Sequence, residues 1–357
     1  MLSIILGTRP EIIKMSPVIR ECEKQQIDFF ILHTGQHYSY EMDKIFFEEL
    51  ELPEAKYNLD IGSGSHAEQT GKIMIGVERI LMEEEPNTIL VEGDTNTVIA
   101  SALAASKLGI KVGHVEAGLR SFDRNMPEEV NRVLTDHVSD YLFAPTEMAK
   151  KNLQKEGITE SKIFVTGNTI VDAVYHNSEI AKNKTQIFEK FWLREGEYFL
   201  ITAHRQENVD VKERLQGIVK GLRLLYNEFS IPIIFPMHPR TRKKMKDFDL
   251  ILEGITPIDP VSFLDFLWLE GHAKLVLTDS GGVQEEACIL RVPCVTLRDN
   301  TERPETIRIG SNVLVGSNPN DIVKGVKLML NKERNWRNPF GNGNAGKNVI
   351  EILKKES

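Results

Sequence analysis

Three acidic residues stand where apolar runs give way to turns or helices. Asp94 follows Leu90-Val-Glu-Gly93, Glu116 follows Val112-Gly-His-Val115, and Glu128 lies in the helix-opening run Asn125-Met-Pro-Glu-Glu-Val-Asn-Arg132. Carboxyl groups gathered in one cleft can take a proton from carbon and return it, provided their surroundings pull their pKa values apart. Each also has a plainer role. Asp94 suits a cap for the helix that begins near Thr97, the commoner job for an Asp at such a turn. A glutamate between an apolar strand and Ala-Gly is not a usual turn choice, so Glu116 resists that reading. Glu128 sits in a first helical turn behind Pro127, where acids offset the helix dipole, and shares a face with Arg132 at i, i+4. Val130, Val133, Leu134 and His137 lie on another face of the same helix.

A second set of residues fits an anion. In Gly7-Thr-Arg-Pro-Glu-Ile-Ile-Lys14, Gly7 permits a sharp turn and Pro10 suits the first helical position. Arg9 and Lys14 can then face an anion at the helix N-terminus. His204 with Arg205 ends one strand and His238 ends another, each with an arginine close by. The strongest local motif is Thr278-Asp-Ser-Gly-Gly-Val-Gln-Glu-Glu286, directly after Leu275-Val-Leu277. Its strand, Ser280-Gly281-Gly282 turn and helix start make a nest of backbone N–H groups suited to a diphosphate. Glu286, one turn further, is placed to accept hydrogen bonds from a ribose diol, and Arg303 adds a cation after the last long strand. Gly62-Ser-Gly-Ser65 follows no clear strand and reads as a flexible loop.

These residues need a scaffold, and the chain spells one out. Short apolar runs at 3–6, 29–32, 88–91, 111–115, 141–143 and 162–165 each lead into a turn and a helical pattern. After a helical stretch from Ile170 to about Phe191 the pattern restarts at 198–201, 232–235, 256–258, 274–277 and 294–297. Such alternation is the mark of parallel, doubly wound sheets, so two similar α/β domains are expected, with a hinge near Gly167–Thr169. The Gly/Asn-rich turn 339–346 places the final helix, Lys347 to Lys355, to cross back onto the first domain. The expected division is 1–167 plus 343–357, and 168–342. In open parallel sheets ligands sit outside the carboxyl ends of the strands, where the residues above fall.

Composition narrows the class. A formal net charge of −8 argues against a nucleic-acid groove, and no apolar run approaches the length of a membrane span. Cys22, Cys288 and Cys294 form no CxxC pair and read as reduced and structural. No basic leader or cleavage site precedes the first strand, so no signal peptide and a cytoplasmic location are expected.

Taken together the motifs resemble the non-hydrolysing UDP-N-acetylglucosamine 2-epimerase family nearly end to end. The likeness rests on GTRPEIIKMSPVI at 7–19, TGQH at 34–37, EGDTNT at 92–97, GHVEAGLRS at 113–121, MPEEVNR at 126–132, TGNTIVDA at 166–173, TAHRQEN at 202–208, TDSGGVQEE at 278–286 and TERPE at 301–305. The resemblance implies a GT-B fold, two Rossmann-like domains with parallel sheets facing a central cleft. It implies reversible conversion of UDP-GlcNAc to UDP-ManNAc without NAD or metal, by anti-elimination of UDP to 2-acetamidoglucal and re-addition of UDP. By the same likeness Asp94, Glu116, Glu128 and His204 are catalytic. Arg9, Lys14, His238, Ser280, Gly281, Gly282, Glu286 and Arg303 bind substrate, Arg205 is added to them from its place beside His204 at the strand end, and the likeness further implies a homodimer. Some bacterial members are activated by their own substrate through the Gln-His of TGQH, here Gln36-His37. The loop Ile61-Gly-Ser-Gly-Ser-His66 departs from that pattern by lacking an Arg-Gln pair. A hydrolysing epimerase that releases free ManNAc shares the glycal route, and a GT-B glycosyltransferase would use the same nucleotide site.

Overall fold

The computed structural model describes residues 1–36 and 40–356, residues 40–43 by their backbone alone. His37, expected beside Gln36 as a substrate-activation residue, lies outside the described residues. The chain packs as two compact units, 1–175 with 340–357, and 176–339.

In the first unit, strands β1 (Leu2–Leu6), β2 (Phe29–His33), β3 (Tyr57–Asn58), β4 (Thr88–Glu92), β5 (Lys111–Val115), β6 (Tyr141–Ala144) and β7 (Ile163–Val165) form one sheet in the order β3-β2-β1-β4-β5-β6-β7. Every pairing is parallel. Parallel strands covered on both faces read as continuous apolar runs, and β1 (LSIIL) is buried along its whole length. One layer of core joins Ile5, Leu32, Val91 and Val112 to Ile73, Val77 and Ile80 of helix His66–Glu84. The alanines of helix Asn96–Lys107 pack in the same layer and let that helix sit close.

The second unit repeats the plan with β8 (Phe199–Thr202), β9 (Ile233–Pro236), β10 (Ile255–Ile258), β11 (Leu275–Thr278), β12 (Cys294–Thr296) and β13 (Asn312–Leu314), ordered β10-β9-β8-β11-β12-β13. Its core gathers Phe199, Ile201, Phe235, Leu275 and Leu277 under Leu215, Leu222 and Leu225 of helix Lys212–Phe229. Both sheets thus reverse direction beside their first strand, at β1/β4 and β8/β11, which is where doubly wound folds open a crevice for ligand. Strands β3 and β13 were not expected, because two or three residues are too few to show a period.

The sequence places the divisions at 167/168 and 342/343, whereas packing places them at 175/176 and 339/340. Helix Thr169–Lys184 begins in the first unit and ends in the second. Helix Ala345–Glu356 lies against helix Arg9–Lys24, tightly enough that a Cβ on Gly346 would stand 2.8 Å from the Pro17 carbonyl carbon. Asp172 fastens its start by accepting from the Ala345 and Gly346 N–H groups. Among the described residues no helix is long and apolar enough to cross a membrane.

Candidate active site

At the β1/β4 switch point the first turn is held shut from inside. A Cβ on Gly7 would lie 2.0 Å from Thr97 Oγ1 and 2.4 Å from Thr34 Oγ1, so glycine is what lets β1 run on beneath helix Asn96–Lys107. Glu11 closes the turn. Its Oε2 accepts from the Gly7 and Thr8 N–H groups at 2.5 and 3.2 Å, and its Oε1 from the Thr95 hydroxyl at 2.6 Å. Burial outweighs these bonds and pushes the Glu11 carboxyl up from 4.5 to about 7.

That shift makes a stability prediction. Folded Glu11 keeps its proton to about pH 7 while the unfolded chain releases it near 4.5, so its contribution is full below pH 4.5 and lost as pH rises through about 7. Glu11→Gln removes the titration. The stability of wild type relative to E11Q is expected to fall by about 2–4 kcal/mol between pH 4.5 and 8, read by urea denaturation. A difference that stays constant with pH would refute it.

Lys14, one turn further along the helix, reaches two carboxylates. Its ammonium is hydrogen-bonded to Glu116 Oε2 and lies 3.2 Å from Glu92 Oε1. Glu92 ends β4 and Glu116 follows β5, the adjacent strand, so the register brings both acids to one edge. Both are nearly sealed from solvent, and Glu116 Oε1 also lies 3.5 Å from Asn168 Nδ2. Glu116 holds a left-handed backbone, φ 70°, which costs a non-glycine residue energy and is met most often at functional sites. The turn below it is fixed by Asp136, which accepts from the Gly118 N–H at 3.2 Å and lies 2.7 Å from both Arg120 Nη2 and His114 Nδ1.

Asp94 is not the cap of the helix beside it. Thr95 is, its hydroxyl accepting from Val98 N–H, and the helix starts at Asn96. The Asp94 carboxylate, one-third exposed, is instead paired with Arg132, while its carbonyl accepts from Asn131 Nδ2 at 3.0 Å. Arg132 therefore turns away from Glu128, contrary to the expected i, i+4 pair, and its other arm binds Glu129 at 2.9 Å. Helix Pro127–Val138 buries Glu129, Arg132, Thr135 and Asp136, and leaves Val130 and Leu134 exposed. Glu129 is structural, accepting from the N–H groups of Ser121 and Phe122. Its neighbour Glu128 is exposed. Gln36 is a brace: buried, its Oε1 accepts from the Thr97 N–H at 2.9 Å and hydroxyl at 2.7 Å. Arg9 lies over the Phe46 ring, 4.8 Å from its centre.

In the second unit the chain after β8 is pinned by Asp279, fully buried at the end of β11. It accepts from the N–H groups of His204 and Arg205 and from Asn208 Nδ2, at 3.0–3.1 Å. The His204 ring is half exposed, with Nε2 3.9 Å from Asp279 Oδ1. Beside it His238 caps helix Pro239–Asp247, its Nδ1 accepting from the Arg240 N–H. Burial, then His204 and Arg240, hold the His238 pKa below 6.5, leaving a neutral ring with Nε2–H as donor. Both histidines line a cleft of about 270 Å³ whose other walls include Pro236, Val261, Phe263 and Phe266.

Ser280 caps helix Gly281–Ile289 through its hydroxyl, and Gly281 and Gly282 are its first two residues. Added Cβ atoms there would meet nothing closer than Glu302 Oε2 at 3.8 Å and Ser280 Oγ at 3.9 Å. Internal packing does not require these glycines, and a bare helix start lets an outside anion reach the backbone N–H groups. Glu286 is buried beside Glu270, whose carboxyl is driven well above the usual range by burial and then by Glu286. Arg303 Nε lies 2.7 Å from the buried Glu285 Oε1.

Sequence reasoning missed Glu92, Glu11, Arg132, Asp136 and Asp279. Four of them lie inside motifs singled out for their neighbours. Their shared signal is an acid or arginine in a strand end or helix face that packing buries, which composition alone does not reveal.

Comparisons with known proteins show the family. The family model for UDP-N-acetylglucosamine 2-epimerase matches residues 20–354. The chain is 61% identical to the UDP-N-acetylglucosamine 2-epimerase of Methanocaldococcus jannaschii over 99% of this chain and 98% of that one. A crystal structure of that relative in complex with UDP-GlcNAc and UDP superposes with a TM-score of 0.91 over 99% of each chain. The UDP-2,3-diacetamido-2,3-dideoxy-D-glucuronate 2-epimerase of Pseudomonas aeruginosa is 42% identical over 98% of each chain. A glycosyltransferase from Rickettsia africae, 14% identical with a TM-score of 0.59 over 99% of this chain and 98% of that one, shares the GT-B fold alone.

Proposed function

This chain belongs to the UDP-N-acetylglucosamine 2-epimerase family, and we propose that it interconverts UDP-GlcNAc and UDP-ManNAc by eliminating and re-adding UDP. The observation that carries the reading is the pair of carboxylates at the ends of adjacent strands, Asp94 held by Arg132 and Glu116 by Lys14. The C2 hydrogen of a pyranoside is not adjacent to a carbonyl, so C1–O cleavage must run ahead of proton loss. UDP leaves with the C1–O electron pair, a carboxylate takes the C2 proton, and the C2–H electrons become the C1=C2 bond of 2-acetamidoglucal. Re-addition of the phosphate oxygen to C1 and delivery of a proton to the other face of C2 complete the exchange. No step of this route moves a hydride or an electron, so the proposed reaction runs on the chain's own side chains without NAD or a metal.

Asp94, Glu116 and Glu128 share the proton work in this reading. The departing diphosphate is stabilised by His204, Arg9, Arg205, His238, Arg303 and the Gly281 and Gly282 N–H groups, with Glu286 on the ribose diol. Lys14 faces a competing demand, since its ammonium is committed to Glu92 and Glu116. A homodimer is proposed as well. It rests on the family resemblance, and a monomer by analytical ultracentrifugation at assay concentration would refute it.

The test is incubation with UDP-GlcNAc in deuterated water. The expected result is an equilibrium of two UDP-sugars with deuterium at C2 of both. Stoichiometric free ManNAc would overturn it in favour of the hydrolysing reaction. Absence of C2 deuterium without an acceptor sugar would overturn it in favour of glycosyl transfer. Turnover of the diacetamido uronate alone would move the substrate to that of the Pseudomonas relative.

A further inference from the structure

We propose that Glu92 is a positioning residue that holds one proton in a buried pair with Glu116, so that Glu116 meets substrate as the ionised, lysine-bound member. The proposal rests on reading Glu116 as one of the carboxylates that handle the C2 proton. Glu92 is the last residue of β4, paired in register with Val115, and Glu116 is the next residue after Val115, so both acids stand at the same end of neighbouring strands, where Lys14 reaches both. Their side chains are only 2% and 3% exposed. One ammonium, Lys14, serves both.

The surrounding charges decide the proton count. Helix Arg9–Lys24 contributes Lys14 and the buried Glu11, and the turn after β5 contributes Glu116. His33 on β2 acts on Glu11, and Asp94, two residues beyond Glu92, is already paired with Arg132. With Glu92 and Glu116 both ionised, two negative charges would crowd around the ammonium they share in a sealed pocket, an arrangement buried groups avoid by keeping a proton. The two carboxyl groups meet at the same ammonium, Lys14, so they face each other across a short distance in a pocket closed to water. Burial and the Glu116 and Glu11 charges together hold Glu92 well above the usual carboxylate range, against the pull of Lys14. Lys14 bonds directly to Glu116 but stands 3.2 Å from Glu92, so the negative charge settles on Glu116 and the proton on Glu92.

Loss of that proton at high pH sets a second negative charge against Glu116 and adds a negative charge beside an anionic substrate, so kcat/KM must fall on the alkaline side. Glutamine mimics the un-ionised acid and cannot titrate. Glu92→Ala is expected to lower kcat about 100-fold, and Glu92→Gln to recover at least about 10-fold of it. E92Q should also lose the alkaline limb that wild type shows. Infrared difference spectra of resting wild type against E92Q should show the carbonyl stretch of one un-ionised acid lost, the bands of Glu11 and Glu270 cancelling. An unchanged alkaline limb, no lost band, or an E92Q no better than E92A would overturn the proposal. If E92A does not fold, E92Q and the spectra still decide it. The spectra need no turnover, so a chain that fails to epimerise UDP-GlcNAc would defeat the functional reading and leave this one to be judged separately.

Discussion

Replacing Glu116 by glutamine is expected to lower kcat by about 10³-fold or more while UDP binds within about threefold of wild type. Asp94→Asn and Glu128→Gln are expected to lose turnover in the same way. The structure separates what each substitution tests. E116Q removes charge from a carboxyl that Lys14 and Asn168 hold in place, so shape is kept and chemistry lost. D94N leaves Arg132 with Glu129 as its remaining ion-pair partner, so part of its effect will be a loosened helix Pro127–Val138. E128Q changes an exposed side chain in the first turn of that helix and should leave the melting temperature within about 1 °C, as surface substitutions usually do. It is the cleanest probe of the three. Turnover by NMR of the two UDP-sugars, with UDP affinity by calorimetry, checks all of them. Near-normal rates in any two would dismiss the acid–base assignment.

The two parallel sheets, and the strand ends beside which the candidate residues fall, were legible because parallel strands buried on both faces read as continuous apolar runs. The charge network beneath the acids was not. Thr95 rather than Asp94 caps the helix, because Asp94 has a stronger partner in Arg132, and that partner lies 38 residues away in sequence. Helix Pro127–Val138 reads from its periodicity as an ordinary amphipathic element, yet the face it packs inward is charged. A spacing rule sees which residues share a face, but not which face the rest of the chain covers. Glu128 and Glu129 are indistinguishable as letters. Packing makes one a latch for the 121–122 backbone and turns the other outward.

Asp136→Ala is expected to cost the first unit about 3–5 kcal/mol, the range for breaking one side of a buried ion pair. Asp136 and Arg120 are both sealed, at 0% and 1% side-chain exposure, and the same carboxylate meets the His114 ring and the Gly118 N–H. Without it the Arg120 guanidinium keeps the Leu119 carbonyl and one carboxylate, Glu156, which is partly open to water, and the Gly118 N–H has no carboxylate to donate to. Glu156→Gln is the matched control: it touches the same arginine from the solvent side and should cost about 0–1 kcal/mol. Urea denaturation of both variants checks the contrast, and equal losses would mean that Arg120 does not depend on its buried partner. The functional consequence follows from position. Gly118 sits two residues after Glu116, with φ 82° and so little room that a Cβ would lie 2.4 Å from the Ala149 carbonyl. Releasing that turn lets the strained Glu116 backbone relax away from Lys14, so whatever D136A remains folded should also turn over at least about 10-fold more slowly. Asp136 thus links the stability of the β5 turn to the placement of the carboxylate that the chemistry depends on.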